Sequence, residues 1–262
     1  MITTRQFPQH YLQQILSTLD QWKSFIESNQ NFSFIKFGDG EFLCMMGEQG
    51  ANCDMHPYSK HLGDRLIAAW NFFSTTTIPN IYIAEWADQP GSYKTPQNVE
   101  PAQDTSNPVF QFVDKLLSQR ESHNFKLVNF EILLQNTLSE NKYNLFKAIK
   151  DSRRKKIFIG PQRLQQVNSF LNTDVFIQVP THNSYSVYEQ NLNACKQLLA
   201  DDTICLFSSG MPTKAFISDL LKCKTNITCL DVGSGFDAIF VGNTREGQNS
   251  MSVVQDFYRE LL

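Results

Sequence analysis

The stretch FSFIKFGDGE, residues 32–41, passes directly from an apolar run into a turn made of glycine and carboxylate residues. The run Phe32–Phe37 is short, rich in β-branched and aromatic residues and closed by a glycine, which is typical of a buried strand. Gly38 and Gly40 bracket Asp39, so the backbone here can turn tightly or approach a ligand closely. This pattern, a strand that ends in a polar turn, recurs along the chain and decides the fold.

Six more apolar runs have the same character and alternate with amphipathic stretches of helical spacing. The further predicted strands are Ile81–Trp86, Phe125–Phe130, Lys156–Gly160, Val175–Pro180, Thr203–Ser208 and Ile227–Val232. The predicted helices are Tyr11–Ser28, His61–Phe73, Pro108–Gln119, Asn141–Lys150, Ser184–Ala200, Pro212–Lys222 and Met251–Leu261. This alternation predicts the α/β class, with a mostly parallel sheet of about six or seven strands flanked by helices on both faces. We expect one domain over residues 1–262.

Composition excludes several classes of protein. The 262 residues include 23 Lys and Arg against 26 Asp and Glu, and this net charge of -3 argues against a nucleic-acid binder. No stretch approaches the roughly 20 apolar residues of a membrane span, and the amino terminus lacks the apolar core of a signal peptide. The six cysteines form no C-x-x-C pair, which indicates a reducing, cytoplasmic compartment.

Ligands of open parallel sheets bind at the carboxyl ends of the strands, so the residues after each strand are the site candidates. Asp39 and Glu41 follow the first strand at a spacing of i, i+2. Two such carboxylates can share Mg²⁺ or Mn²⁺ together with substrate phosphates. The alternative is a plain turn with Glu41 in the first turn of a helix, where the helix dipole favours it.

A second candidate is the turn SSGMPTK, residues 208–214, between a strand and a helix. Free backbone N–H groups at a helix N-terminus favour an anion, and Lys214 adds a positive charge. Ser209 and Gly210 supply the small residues of this turn. The spacing does not match a P-loop, and an ordinary turn with a serine cap is the alternative.

A third candidate is LDVGSGFD, residues 230–237, after the last predicted strand. In isolation it resembles the first motif of Rossmann-like methyltransferases, which binds S-adenosylmethionine. Only about 25 residues follow it, too few for the rest of such a fold. Asp231 remains a candidate because it ends a strand.

Three residues could accept a proton at the same sheet edge. Glu85 and Glu131 follow strands and could act as bases if burial raised their pKa values, and His182 also lies at a strand end. His56 and His61 only flank a polar loop. The absence of H-E-x-x-H and G-x-S-x-G motifs excludes zincins and common α/β-hydrolases.

The long segment Ala87–Asn107 predicts a lid over a site or a disordered insert.

The stretch Ile35–Phe42, IKFGDGEF, resembles the R-F-G-D-G-E-[FL] signature of the GT-D-type glycosyltransferases of bacteria. The segments Leu206–Lys214, Val179–Ser184 and Asp231–Ser234 are also similar to that family. Lys36 stands where the family usually has Arg, and lysine offers a charge to phosphate without the planar fork of arginine.

This resemblance implies a Rossmann-like fold and a hexosyltransferase that is dependent on Mn²⁺ or Mg²⁺ at Asp39 and Glu41. The sugar would pass from a nucleotide-diphosphate donor, a UDP-sugar above all, to a hydroxyl of a glycan in bacterial surface polysaccharide or glycoprotein synthesis. The expected catalytic residues are Asp39, Glu41, Glu85, Asp231 and His182. The expected donor-binding residues are Lys36, Phe37, Gly38, Gly40, Asn183, Ser209, Gly210 and Lys214.

Two other functions stay open from the sequence: an S-adenosylmethionine-dependent methyltransferase that uses Asp231–Gly235, and a non-catalytic module that binds nucleotide sugars. The expected partners are the donor and a glycan acceptor carried on lipid or protein. We expect a cytoplasmic protein that can associate with the inner face of the membrane, and a homo-oligomer is compatible with this reading.

Overall fold

The computed structural model of the chain describes residues 2–3, 9–52, 54–85, 108–118, 123–242 and 249–262, with only the backbone for residues 2–3 and Glu85. The predicted lid, Ala87–Asn107, lies outside these residues. No described helix combines the length and apolar character that a bilayer crossing requires.

A parallel sheet of seven strands forms the centre of the described fold. The described residues contain nine strands in two sheets. In chain order they are β1 (Ile2–Thr3), β2 (Ser33–Ile35), β3 (Ile81–Glu85), β4 (Lys126–Asn129), β5 (Thr137–Leu138), β6 (Lys156–Pro161), β7 (Val175–Val179), β8 (Ile204–Phe207) and β9 (Thr228–Asp231). The sheet has the order β4-β3-β2-β9-β8-β6-β7, while β1 and β5 pair antiparallel elsewhere. All seven predicted strands are present in this sheet, with ends within two residues of the prediction.

Ten α-helices surround the sheet in the described part of the chain. They are α1 (Gln9–Glu27), α2 (Asp39–Met46), α3 (Lys60–Thr75), α4 (Pro108–Ser118), α5 (Glu140–Asp151), α6 (Val167–Leu171), α7 (Tyr188–Leu198), α8 (Thr213–Cys223), α9 (Asp237–Phe240) and α10 (Met251–Phe257). The predicted helix Ser184–Ala200 begins as a 3₁₀ turn over Ser184–Val187, and the last predicted helix ends earlier, at Phe257. The short α6 and α9 have no prediction of their own, and α2 is predicted only as the alternative for the turn that contains Glu41.

Side chains alternate between the two faces of the sheet and fill two apolar layers. In β2, Phe34 belongs to the layer that contains Trp22 of α1, whereas Ile35 belongs to the layer that contains Trp70 of α3. Helices therefore cover both faces, and the predicted α/β, Rossmann-like class is confirmed.

The last strand of the sheet along the chain, β9, lies in the middle of the sheet between β2 and β8. Ser33 pairs with Cys229 on one side of β9, and Leu206 pairs with Leu230 on the other. The carboxyl ends of these three strands are therefore neighbours, although they lie far apart in the sequence. This placement brings the turns that follow β2, β8 and β9 to one place.

Candidate active site

A buried lysine joins these three turns. The Nζ atom of Lys214, in the first turn of α8, lies 2.6 Å from Oε1 of Glu41 and 3.1 Å from Oδ2 of Asp231. It also donates a hydrogen bond of 3.4 Å to the carbonyl oxygen of Gly210. The side chain of Lys214 is only 4% exposed. The three turns that the sequence marked as separate candidates, after β2, β8 and β9, are therefore joined in the structure by one cluster of ion pairs.

The opposite charges of this cluster stabilise each other's ionised forms, which burial alone would disfavour. Burial by itself disfavours the ammonium, but Asp231 and Glu41 outweigh it and raise the pKa of Lys214 above its ordinary value. Burial likewise opposes the charged form of Glu41, but Lys214 outweighs it and lowers the pKa of Glu41. Lys214 and Glu41 are therefore both charged at neutral pH.

The two carboxylates of the FGDGE turn have different surroundings. Oε2 of Glu41 accepts a hydrogen bond of 2.8 Å from the N–H of Gly38, in the first turn of α2. Asp39 is exposed, and its Oδ1 accepts a hydrogen bond of 2.9 Å from the N–H of Gly40. The helical position of Glu41 is the alternative that the sequence left open.

Both oxygens of Glu41 are engaged, one by Lys214 and one by the N–H of Gly38. A divalent ion held jointly by Asp39 and Glu41 would have to displace Lys214 from Oε1 of Glu41. Within the described ranges, no group of three or more His, Cys, Asp or Glu side chains could hold a metal. Metal binding at Asp39 and Glu41 therefore stays a prediction.

Local packing accounts for the two glycines of the turn. A Cβ atom on Gly40 would lie 2.9 Å from Cβ of Asn52. A Cβ atom on Gly38 would lie 3.2 Å from Oε2 of Glu41, so the missing side chain makes room for the helix-capping contact. Phe37 is fully buried, and its ring packs against Phe42. Phe37 is therefore part of the hydrophobic core and not of an exposed binding surface.

Lys36 brings a second positive charge to the sheet edge. Its backbone N–H donates to Oδ2 of Asp231 at 3.3 Å, and its half-buried side chain places Nζ 4.8 Å from the ring centroid of Phe130. A Cβ atom on Gly233 would lie 2.6 Å from this Nζ, and Gly233 has a left-handed φ of +50°. The glycine after β9 therefore gives the lysine its space.

The turn after β8 is held by its serine side chains. Ser208 donates a hydrogen bond of 2.7 Å to the carbonyl oxygen of Gly233, which ties the turns after β8 and β9 together. The hydroxyl of Ser209 lies 2.7 Å from the hydroxyl of Thr213, and no side chain caps the first N–H groups of α8. The simple serine-capped turn is therefore not what the chain forms here.

Four predicted site residues are not among the residues that the structure shows in contact with Lys214. His182 is exposed, and its Nδ1 lies 3.0 Å from the carbonyl oxygen of Asp54; Asn183 beside it is also exposed. Glu131 is buried, and its charge acts on Lys142 of α5. The backbone of Glu85 ends β3 opposite Asn129, and its side chain lies outside the described part.

The structure also places a residue at the site that the sequence did not single out. His56, from the loop between α2 and α3, is 6% exposed and packs against Gly210. Its Nδ1 lies 3.4 Å from Oγ of Ser184, a partner 128 residues away in the chain. No local sequence signal marks such a contact, because it depends on how the strands are ordered.

Solved structures with the same fold include two of domain of unknown function 1792. The structure described as "Selenomethionine substituted structure of domain of unknown function 1792" has a TM-score of 0.54 at 18% identity, over 84% of this chain and 80% of that one. The structure described as "The highly conserved domain of unknown function 1792 has a distinct glycosyltransferase fold" has a TM-score of 0.56 at 17% identity, over 86% and 82%. The chain matches no protein-family model and no curated protein. The likeness establishes a shared fold and supports the predicted resemblance at that level.

Proposed function

We propose that this protein is a glycosyltransferase that uses a nucleotide-diphosphate sugar as its donor. The observation that carries the proposal is the ion-paired cluster of Lys214, Glu41 and Asp231. It lies at the carboxyl edge of a parallel sheet, where ligands of such sheets bind. The same overall fold is described as a glycosyltransferase fold in another protein.

The charges at this edge suit an anionic leaving group. When the bond between the sugar and the diphosphate breaks, negative charge develops on the diphosphate, and fixed positive groups lower the energy of that state. Lys36 is half-buried at this edge and held over Phe130. The first turn of α8 adds the uncapped N–H groups of a helix N-terminus. We assign the diphosphate to the space between Lys36 and this turn.

Lys214 has a different role in the proposed site. Its ammonium is bound by Glu41, Asp231 and the carbonyl oxygen of Gly210, so it has little capacity left for a ligand. We therefore assign it a positioning role, in which it holds the turns after β2 and β9 against α8. A divalent ion would supply further positive charge to the diphosphate, and Asp39 is the exposed carboxylate that could contribute to binding it.

The proposed donor and acceptor classes come from the resemblance of the FGDGE stretch to the GT-D-type signature. UDP-sugars are the first donors to test, and the acceptor is a hydroxyl of a glycan in bacterial surface polysaccharide or glycoprotein synthesis, carried on lipid or protein. Such an acceptor would place the protein at the inner face of the cytoplasmic membrane. One catalytic domain over residues 1–262 is part of the same proposal.

The test is a screen of nucleotide sugars for hydrolysis and transfer, with Asp39→Asn and Glu41→Gln as variants. Both variants should lose at least about 100-fold in rate while the fold is retained. Asp20→Asn is the matched control, because Asp20 is an exposed carboxylate on α1. Rates within a fewfold of the unmodified protein in both site variants would refute the assignment of the site.

Calorimetry separates the two alternatives from this proposal. Binding of S-adenosylmethionine without binding of UDP-sugars would favour the methyltransferase that uses Asp231. Binding of a nucleotide sugar without any hydrolysis or transfer would favour the non-catalytic module.

A further inference from the structure

His56 is held rigidly at the edge of the proposed site. The carbonyl oxygen of His56 accepts a hydrogen bond of 3.0 Å from the N–H of Asn52, and the N–H of His56 donates to Oδ1 of Asn52 at 2.8 Å. The imidazole is buried against the turn that opens α8. A Cβ atom on Gly210 would lie 2.6 Å from Nε2, and the φ of Gly210 is +70°. The ring thus occupies the space that glycine leaves beside this turn.

The hydrogen bonds of Ser184 determine which ring nitrogen carries the proton. Oγ of Ser184 donates its one proton to the carbonyl oxygen of Ser209 at 2.5 Å. Toward Nδ1 of His56, at 3.4 Å, this oxygen can therefore only accept. Nδ1 then carries the proton, and Nε2 presents its lone pair on the side of Gly210. This is the arrangement of an oriented base, in which a second group fixes the tautomer.

The charged groups around His56 come from four elements. Burial lowers the pKa of His56 below its ordinary value. Asp54 in the same loop and Glu41 of α2 raise this pKa, whereas Lys214 of α8 and His182 after β7 lower it. The net direction is downward, so the ring is neutral at pH 7 and able to take a proton.

We infer that His56 is the catalytic base that removes the proton from the acceptor hydroxyl, an assignment that rests on the proposed glycosyltransferase function. The O–H bond of the acceptor breaks and its proton passes to Nε2, while the acceptor oxygen bonds to the anomeric carbon of the sugar. The bond from that carbon to the diphosphate breaks, and its electron pair leaves on the diphosphate oxygen. The charges of Asp54 and Glu41 then stabilise the imidazolium, while Lys214 opposes it.

Two residues that the sequence favoured for this role are less suited to it. Oδ2 of Asp231 already accepts from Lys214 and from the backbone of Lys36. His182 is exposed and rests on the carbonyl oxygen of Asp54. His56 is the buried imidazole that faces the turn of α8.

The experiment compares His56→Asn with His61→Asn in an enzyme whose donor and acceptor have been identified by the screen. His61 is an exposed histidine on α3 that pairs with Tyr185 through Nδ1. We expect His56→Asn to lower kcat about 100-fold or more, to leave the Kd of the donor within about twofold, and to remove the acid limb of the kcat/KM profile. His61→Asn should keep both kcat and the profile.

The outcomes separate this inference from the function on which it rests. If no donor is hydrolysed or transferred by the unmodified protein, the proposed function fails and the inference fails with it. If the unmodified protein transfers sugar and His56→Asn keeps at least a third of kcat, the base is another residue and the function stands. If His56→Asn does not fold, Ser184→Ala decides: a lower kcat with a shifted pH profile supports the inference, and an unchanged profile overturns it.

Discussion

Lys214 and Asp231 form an ion pair of 3.1 Å although their side chains are only 4% and 2% exposed. The pair links the first turn of α8 to the end of β9, and Glu41 extends it to α2. Burying charges costs several kcal/mol per ion, and this cost is recovered only when every charge has a partner. A buried ion cluster therefore adds little net free energy to the stability of a fold. Its position at the ligand-binding edge of the sheet argues for a functional use.

Removing the lysine should leave two buried carboxylates without their cation. We expect Lys214→Met to lower the free energy of unfolding by about 3 kcal/mol or more, measured by urea denaturation at pH 7. Lys222→Met is the matched control, because Lys222 also lies on α8 and pairs with Asp219 while 44% exposed. An exposed pair contributes at most about 1 kcal/mol. Equal losses in the two variants would show that the buried cluster is not a stabilising unit.

The same variant tests how a divalent ion relates to Lys214. Because the ammonium occupies Oε1 of Glu41, a divalent ion at this carboxylate must compete with it. Mn²⁺ should therefore bind Lys214→Met more tightly than the unmodified protein and should raise the melting temperature of the variant by more. The measurement is a thermal melt over a Mn²⁺ titration, with calorimetry for the Kd. Tighter Mn²⁺ binding by the unmodified protein would mean that ion and lysine occupy separate places.

The fold was predictable from the sequence because its strands carry local signals. Each strand of the sheet is a short apolar run closed by a polar or glycine residue, and all seven were found in place. The order of the strands has no such signal, since nothing within Thr228–Asp231 specifies that β9 inserts between β2 and β8. The fold class therefore followed from local patterns, whereas the neighbourhood of each turn did not.

The site was predictable only as a set of separate turns. Asp39, Glu41, Lys214 and Asp231 were all singled out because they follow strands, but the ion pairing of Lys214 with Glu41 and Asp231 depends on strand order. The pairing of Glu41 with Lys214 is likewise a tertiary effect. His56 was overlooked as a candidate because its partner Ser184 lies 128 residues away.

A second buried lysine should make stability depend on pH. Lys142 donates through Nζ to the carbonyl oxygens of Leu134 and Thr137, and burial lowers its pKa to about 7, although Glu131 opposes the shift. Between pH 7 and the ordinary lysine value of about 10.4 the unfolded chain binds a proton that the folded chain does not. Stability should therefore rise with pH across this window, by about 1 kcal/mol per pH unit, and level off below pH 7.

The variant Lys142→Met isolates this contribution, because it removes the group that titrates. Its unfolding free energy, measured by denaturation from pH 7 to pH 10, should rise less steeply than that of the unmodified protein. Lys147→Met is the control, since Lys147 lies on the same helix and is exposed. Parallel pH profiles for the unmodified protein and Lys142→Met would contradict the lowered pKa.

A comparison of Gly210→Ala with Gly47→Ala should separate the effect of backbone strain from the effect of displacing His56. Gly210 and Gly47 both have left-handed backbones, with φ of +70° and +87°. A Cβ atom on Gly210 would lie 2.6 Å from Nε2 of His56, whereas one on Gly47 would have nothing within 4 Å. Gly47→Ala should therefore cost only about 1–2 kcal/mol of backbone strain and leave transfer unchanged.

Gly210→Ala should cost more than Gly47→Ala in unfolding free energy and should also lower kcat, because the new methyl group must push the imidazole away from the turn of α8. The measurements are denaturation curves and transfer rates for both variants under the same conditions. A Gly210→Ala protein with full transfer activity would show that the position of His56 against this turn does not matter for the reaction. Loss of activity with an unfolding free energy close to that of Gly47→Ala would place the effect on the imidazole itself.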